Sequence, residues 1–80
     1  MTLNDIQEKA KAFLVDELEI DEEKIVDEAS LRDDLAIDSL EAVDIVVFVE
    51  RAFGFKMKPE DFRVIKTYGQ FCRFIQQKLG

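Results

Sequence analysis

The stretch DSLEAVDIVVFVERAFG, residues 38–54, decides the fold, because it contains a complete helix with its start and its end. Asp38 is a favourable N-cap residue, and Glu41 follows three residues later in the position that completes a capping box. Gly54, directly after Phe53, is suited to end a helix. The stretch therefore predicts a helix of about 14 residues, which spans roughly 21 Å.

The apolar residues of this helix fall on two faces when each residue advances by about 100°. One face has the spacings of three and four that a bundle core requires, and it consists of Ala42, Ile45, Val46, Val49 and Phe53. The opposite face consists of Leu40, Asp44, Val47 and Arg51, flanked by Val43 and Glu50 on one edge and by Phe48 and Glu41 on the other. Large apolar residues there would face water, as at a partner surface, unless the helix is buried on both sides. The pattern leaves both arrangements open.

The segment before this helix consists of a first helix and a long acidic loop. Apolar residues at spacings of three and four predict the first helix from about Leu3 to Glu17, and Thr2 with Asp5 can cap its start. One helical turn is expected within the loop, where Asp33 follows Ser30. The apolar residues expected to pin the loop to the core are Ile20, Ile25, Val26, Leu31 and Leu35.

The segment after residue 54 contains two more predicted helices. Pro59 suits a first helical position and opens a short helix through about Ile65, with Phe62 and Ile65 facing inward. Thr67 caps a last helix that ends near Lys78. Since no alternating or hairpin pattern occurs, the sequence predicts an all-α fold. We expect a small four-helix bundle, with three long helices, one short helix and a long loop between helices one and two.

The length and composition indicate one small domain, residues 1–80. Of the 80 residues, 48% are hydrophobic and 36% are charged, which is typical of a chain that folds. No apolar run reaches the ~20 residues that a bilayer span requires, and the N-terminal residues lack the layout of a secretory signal. We therefore expect a soluble cytoplasmic protein without a membrane span.

The residue types exclude most kinds of catalytic site. The chain has no histidine and one cysteine, Cys72, so Ser-His-Asp, Cys-His and zinc arrangements lack their residues. A carboxylate pair such as Asp33 and Asp38 would need a pocket that 80 residues hardly provide. No Asp-rich stretch has the central glycine and closing glutamate of an EF-hand. We therefore expect neither an enzyme nor a metal site.

The charges are distributed unevenly along the chain. The formal net charge is -7. Residues 1–50 contain 16 acids and four bases, a net charge of -12, whereas residues 51–80 contain two acids and seven bases, a net charge of +5. Binding to nucleic acid is disfavoured because phosphates attract basic surfaces. The asymmetry predicts electrostatic steering towards a basic partner surface, with a merely solubilising role as the alternative.

Ser39 lies directly after the predicted N-cap residue, at the start of the second helix. Free backbone N–H groups and the helix dipole at such a position favour an attached phosphate group. A serine beside an N-cap is also common as a simple capping residue. The position alone leaves both roles open.

Residues 33–44, DDLAIDSLEAVD, resemble the prosthetic-group attachment segment of acyl carrier proteins. The resemblance extends over nearly the whole chain, through the acidic first helix and loop, Asp38-Ser39-Leu40 at the helix start, Phe53 at its end, Pro59-Glu60 after a short link and Thr67 before the last helix. It implies a stand-alone, type II-like, monomeric carrier that holds acyl intermediates as thioesters for fatty-acid or polyketide-like biosynthesis.

The resemblance also implies a cofactor and a set of partners. A covalent 4'-phosphopantetheine on Ser39 would be attached by a phosphopantetheinyl transferase that uses coenzyme A and magnesium, and its thiol would hold the acyl chain in place of Cys72. Asp38 matches the family acid that helps to bind the transferase's magnesium. Acyl-chain enzymes with basic docking surfaces are the other implied partners. The partner-binding residues implied are Asp38, Leu40, Glu41, Val43, Asp44, Val47, Glu50 and Arg51.

Four residues depart from the family pattern. Ala36 stands where the family usually has glycine, which should stiffen the turn before the serine. Arg51 occupies a position that is commonly acidic in fatty-acid carriers, and Phe48 and Phe62 occupy positions that are commonly small. Phe62 either narrows the space between the helices that shelters acyl chains or fills the core.

Other functions remain open at this stage. Peptidyl carriers tend to have Gly-Gly before the residue that precedes the serine, where this chain has Ala36-Ile37, and so the peptidyl carrier is the second hypothesis. A D-alanyl carrier is a further alternative. From a different class of protein, an unmodified helical interaction adaptor would use Ser39 only as a capping residue.

Overall fold

The computed structural model of the protein describes residues 2–79 and consists of three α-helices joined by loops. The helices are α1 (Leu3–Asp16), α2 (Ser39–Phe53) and α3 (Tyr68–Leu79). The loops contain two 3₁₀ helices, Glu22–Lys24 and Pro59–Arg63. The predicted all-helical class is confirmed for these residues, and the helices predicted around Ser39 and at either end of the chain agree with α1, α2 and α3. Each helix is too short or too polar to span a membrane.

The short helix predicted from Pro59 to Ile65 is wrong as an α-helix, because only the 3₁₀ helix Pro59–Arg63 forms there. Lys58 stands at its N-cap position, and a lysine side chain has no acceptor to cap the backbone N–H groups. A segment of five residues also closes too few α-helical hydrogen bonds to offset the entropy of nucleation. The predicted four-helix bundle is therefore a bundle of three α-helices and two 3₁₀ turns.

Side-chain caps fix the starts of α1 and α3. Thr2 Oγ1 accepts a hydrogen bond from the Asp5 N–H at 3.2 Å, and Asp5 Oδ2 accepts one from the Thr2 N–H at 3.3 Å. Thr67 Oγ1 accepts a hydrogen bond from the Gln70 N–H at 3.2 Å. Both predicted caps are confirmed.

The acidic loop between α1 and α2 is fastened to the start of α3. The Leu31 N–H donates to the Lys66 carbonyl at 2.9 Å, the Tyr68 N–H donates to the Ala29 carbonyl at 3.0 Å, and Ser30 forms an antiparallel bridge with Thr67. These bonds satisfy backbone groups that a loop of this length would otherwise leave to water. The loop thus holds a defined path up to α2.

The core includes four of the five predicted loop anchors, Ile20, Ile25, Leu31 and Leu35, which are all buried. The prediction for Val26 is wrong, because its side chain is 50% exposed. The chain makes a tight turn at Ile25, where the Val26 N–H donates to the Lys24 carbonyl at 3.1 Å, and with Ile25 turned into the core the Val26 side chain is left outside. The predicted turn after Ser30 is present, and the Asp33 N–H donates to Ser30 Oγ at 3.1 Å.

Candidate functional site

Ser39 is the exposed first residue of α2. In the chain before it, buried residues on either side of Ala36 anchor the backbone to the core. Leu35 and Ile37 are buried, and the Ile37 N–H donates to the Leu31 carbonyl at 2.9 Å. Between them, Ala36 has a φ angle of 54°, in the left-handed region that glycine adopts without steric cost. This backbone turn presents Asp38 and Ser39 to solvent.

Asp38, and not Ser39, caps α2. Asp38 Oδ1 accepts a hydrogen bond from the Glu41 N–H at 2.9 Å, and Glu41 Oε1 accepts one from the Asp38 N–H at 3.4 Å. The predicted capping box is therefore present in full. None of these bonds uses the Ser39 hydroxyl or the second oxygen of the Asp38 carboxylate, so that both remain accessible to a ligand or a partner.

The start of α2 also has the electrostatic character of an anion-binding position. The cap bonds satisfy the N–H groups of Glu41 and Ala42, the latter through the Asp38 carbonyl at 2.9 Å. The N–H groups of Ser39 and Leu40 precede the first intrahelical bonds and face outward with the positive end of the helix dipole. A phosphate group bound through the Ser39 oxygen would lie within reach of these donors.

The outer face of α2 is exposed, and so the alternative in which this helix is buried on both sides is wrong. Leu40 is 78% exposed, Val43 49% and Val47 44%. Three charged residues of the same face are also exposed, namely Asp44, Glu50 and Arg51, whereas Glu41 is half-buried. The predicted partner residues therefore share one accessible surface that begins at Ser39.

The inner face of α2 agrees with the predicted core stripe in most positions. Ile45, Val49 and Phe53 are buried, while Ala42 and Val46 are half-buried.

Phe48, by contrast, does not face water as expected for a residue flanking the outer face. It is half-buried, and its ring stacks on Phe13 of α1 with the ring centroids 4.2 Å apart. It also meets Phe53 edge to face at 5.8 Å. The prediction failed because a helical wheel of α2 alone contains no information on where α1 passes.

Phe62 and Cys72 belong to the packing of the core. The Phe62 ring is half-buried and stacks on Phe71 with the centroids 6.2 Å apart, which supports the core-filling interpretation of this residue. Cys72 is fully buried, and burial raises the pKa of its thiol to about 11. A thiol in that environment is a poor nucleophile near neutral pH.

The amino-acid pattern did not indicate two features of this region. The positive φ angle of Ala36 was not predicted, although a position where glycine is usual is a signal for such backbone. The groove between α1 and α2, which Phe13 and Phe48 line, depends on the packing of two helices and had no signal in the sequence.

Among residues 2–79, no group of three or more carboxylate or thiol side chains is arranged to hold a metal ion.

Comparison with known proteins places these observations in a family. Residues 8–75 match the family described as "Phosphopantetheine attachment site". An acyl carrier protein of Thermotoga maritima is 40% identical over 76 residues, which cover 95% of this chain and 94% of that protein. An acyl carrier protein of Thermosynechococcus vestitus is 38% identical over 80 residues, which cover 100% and 99%. One of Petrotoga mobilis is 38% identical over 80 residues, which cover 100% and 94%.

Proposed function

The chain belongs to the acyl carrier protein family, and on this premise we propose that Ser39 is the residue to which its 4'-phosphopantetheine arm is attached. The observation that carries the proposal is the accessible hydroxyl of Ser39, which is exposed at the start of α2 while Asp38 performs the capping. Ser30, which is the other serine of the chain, is half-buried, and its Oγ accepts the Asp33 N–H in the loop turn.

The residues around Ser39 fit a phosphodiester. The N–H groups of Ser39 and Leu40 and the helix dipole favour its negative charge. The Asp38 oxygen that takes no part in the cap is a ligand of the kind that magnesium prefers, and it suits a role in the transferase complex. When bound, the arm supplies the thiol that holds acyl groups as thioesters, and the chain itself serves as a carrier rather than a catalyst.

The docking face that we propose is the outer side of α2. Leu40, Val43 and Val47 provide exposed apolar contacts beside the attachment position. The acids Glu41, Asp44 and Glu50 provide charges that complement basic partner surfaces. The proposed partners are a phosphopantetheinyl transferase and the enzymes that form or transfer acyl chains.

The pathway that we propose is fatty-acid or polyketide-like biosynthesis, with the carrier acting as a cytoplasmic monomer. The similarity to acyl carrier proteins over the full chain favours this function over the peptidyl carrier, the D-alanyl carrier and the unmodified adaptor. A single cysteine, buried in the core, suits a reducing compartment.

The test is the intact mass of the protein after incubation with a purified phosphopantetheinyl transferase, coenzyme A and magnesium. We expect the wild-type chain and the Ser30→Ala control to gain one phosphopantetheine, and Ser39→Ala to gain none. Circular dichroism should show that Ser39→Ala keeps its helices, because Asp38 retains the cap. An adduct on Ser39→Ala, or none on the wild type, would contradict the assignment.

A further inference from the structure

A groove with a volume of about 580 Å³ lies between the C-terminal part of α1 and the outer side of α2. Its apolar lining comes from α1, the turn after α1 and α2, and it consists of Phe13, Leu18, Val47, Phe48 and Ala52. Two side chains of opposite charge, Asp44 and Arg51, line it as well. Four of these five apolar residues are half-buried, and Val47 is 44% exposed, so that apolar surface at this position is in contact with water.

The α2 side of the groove has a regular pattern. Asp44, Val47, Phe48 and Arg51 stand at positions i, i+3, i+4 and i+7, which lie along one face of a helix. At 1.5 Å per residue, Asp44 and Arg51 are separated by roughly 10 Å along the axis of α2. An acid and a base therefore bracket two apolar residues over two helical turns.

We propose that this groove binds an α-helical segment of a partner protein in which two apolar residues stand between a basic residue and an acidic residue, also at i, i+3, i+4 and i+7. A helix lying along α2 repeats the same spacing, so that its basic residue meets Asp44, its acid meets Arg51 and its apolar pair meets Val47 and Phe48. This inference rests on the proposed docking face, with which it shares Asp44, Val47 and Arg51.

The charge of Arg51 determines which partners fit. Residues 1–50 have a net charge of -12, and this charge attracts basic surfaces in general. Arg51 repels a second basic residue at the far end of the groove and attracts an acid there. The groove thus selects a segment of mixed charge and disfavours an entirely basic one.

Glu17, the C-cap residue of α1, is a second acid in the lining of the groove, whereas Arg51 is the basic residue of the lining. The lining therefore has a net negative charge, which favours the basic residue of the partner segment.

The test uses three synthetic helical peptides that are identical except at two positions. Each has leucine at i+3 and i+4, and positions i and i+7 hold lysine and glutamate, two lysines or two glutamates. The unmodified full chain, labelled with ¹⁵N, is titrated with each peptide. We expect the mixed peptide to bind about three to five times more tightly than either of the others, as an exposed charge pair allows. The amide shifts should concentrate at Phe13, Val47 and Phe48.

The variant Arg51→Glu provides the decisive comparison. It should reverse the order of affinities in favour of the two-lysine peptide, while the matched control Lys24→Glu, an exposed residue outside the groove, should keep the wild-type order. An unchanged order in Arg51→Glu, shifts centred elsewhere, or no binding by any peptide would overturn the proposal. Because the protein is unmodified, these outcomes are independent of whether Ser39 accepts the arm.

Discussion

The phenol hydroxyl of Tyr68 donates a hydrogen bond of 2.6 Å to the backbone carbonyl oxygen of Gln7 and so joins α3 to α1. Tyr68 is buried, and its burial raises the pKa of the phenol above its ordinary value of 10.0. Burial likewise raises the pKa of Cys72 from 9.0 to about 11. Both groups are therefore neutral in the folded core at physiological pH.

The raised pKa values predict a loss of stability in alkali. Above pH 9 the unfolded chain loses protons from Cys72, and above pH 10 from Tyr68, while the folded chain retains them. The free energy of unfolding should thus be constant with respect to these groups up to about pH 8 and fall from about pH 9 upward. Tyr68→Phe should cost about 1 kcal/mol at pH 7 through the lost hydrogen bond, yet decline less steeply in alkali. Urea unfolding at pH 7, 9 and 10.5 measures both effects, and parallel declines would contradict this prediction.

The φ angle of Ala36, 54°, predicts that Ala36→Gly stabilises the fold by about 1 kcal/mol, because glycine adopts this conformation without the steric cost of a Cβ. Gly54→Ala is the matched opposite change. Gly54 has a φ angle of 80°, and no atom lies within 4 Å of an added Cβ. The backbone conformation alone should therefore make Gly54→Ala destabilising. Urea midpoints that move in the same direction for both variants would show that strain does not govern these positions.

How much could be predicted from the sequence depended on whether a signal was local. The caps are at Thr2, Asp38 and Thr67, and the stop is at Gly54. Each of them forms hydrogen bonds only with residues up to four positions away, and the residue types at those positions determine the bonds. These predictions were correct. Of the two arrangements that the pattern of α2 left open, the structure has the one with the exposed face that begins at Leu40.

The parts that could not be predicted depend on contacts between distant residues. Phe48 is half-buried because Phe13 of another helix stacks on it, and Val26 turns outward because its neighbour Ile25 takes the place in the core. The groove beside Phe48 has the same origin. A helix does begin at Pro59, as the sequence predicted, but the segment is too short to continue beyond a 3₁₀ turn.

The close approach of α3 to the acidic loop predicts that Gly69→Ala destabilises the protein. A Cβ on Gly69 would lie 3.0 Å from the carbonyl oxygen of Asp27, which also accepts the Gly69 N–H at 3.0 Å and is therefore held in place. Gly69 is the second residue of α3, where alanine gains less than the roughly 1 kcal/mol of a helix interior, so the strain should exceed that gain. A thermal midpoint above that of the wild type would show that the loop yields without cost.

The two faces of α2 predict opposite consequences for two substitutions. Ile45→Ala removes side-chain atoms that are 2% exposed and should cost about 2–5 kcal/mol. Val47→Asp changes a side chain that is 44% exposed and should alter stability by less than about 1 kcal/mol. The second variant should still weaken docking, which is measured as the rate of modification by the transferase. Equal losses of stability in the two variants would contradict the assignment of the faces.

Whether Ser39 carries an acyl-loaded arm can be determined by tandem mass spectrometry of the protein isolated from its own organism with thioesters preserved. Trypsin separates the two candidate positions, since residues 33–51 contain Ser39 and residues 67–73 contain Cys72. We predict phosphopantetheine with an acyl group on the peptide 33–51, and hydroxylamine should release the acyl group while the arm stays on Ser39. An unmodified peptide 33–51 throughout the sample, or an acyl group on the peptide 67–73, would contradict it.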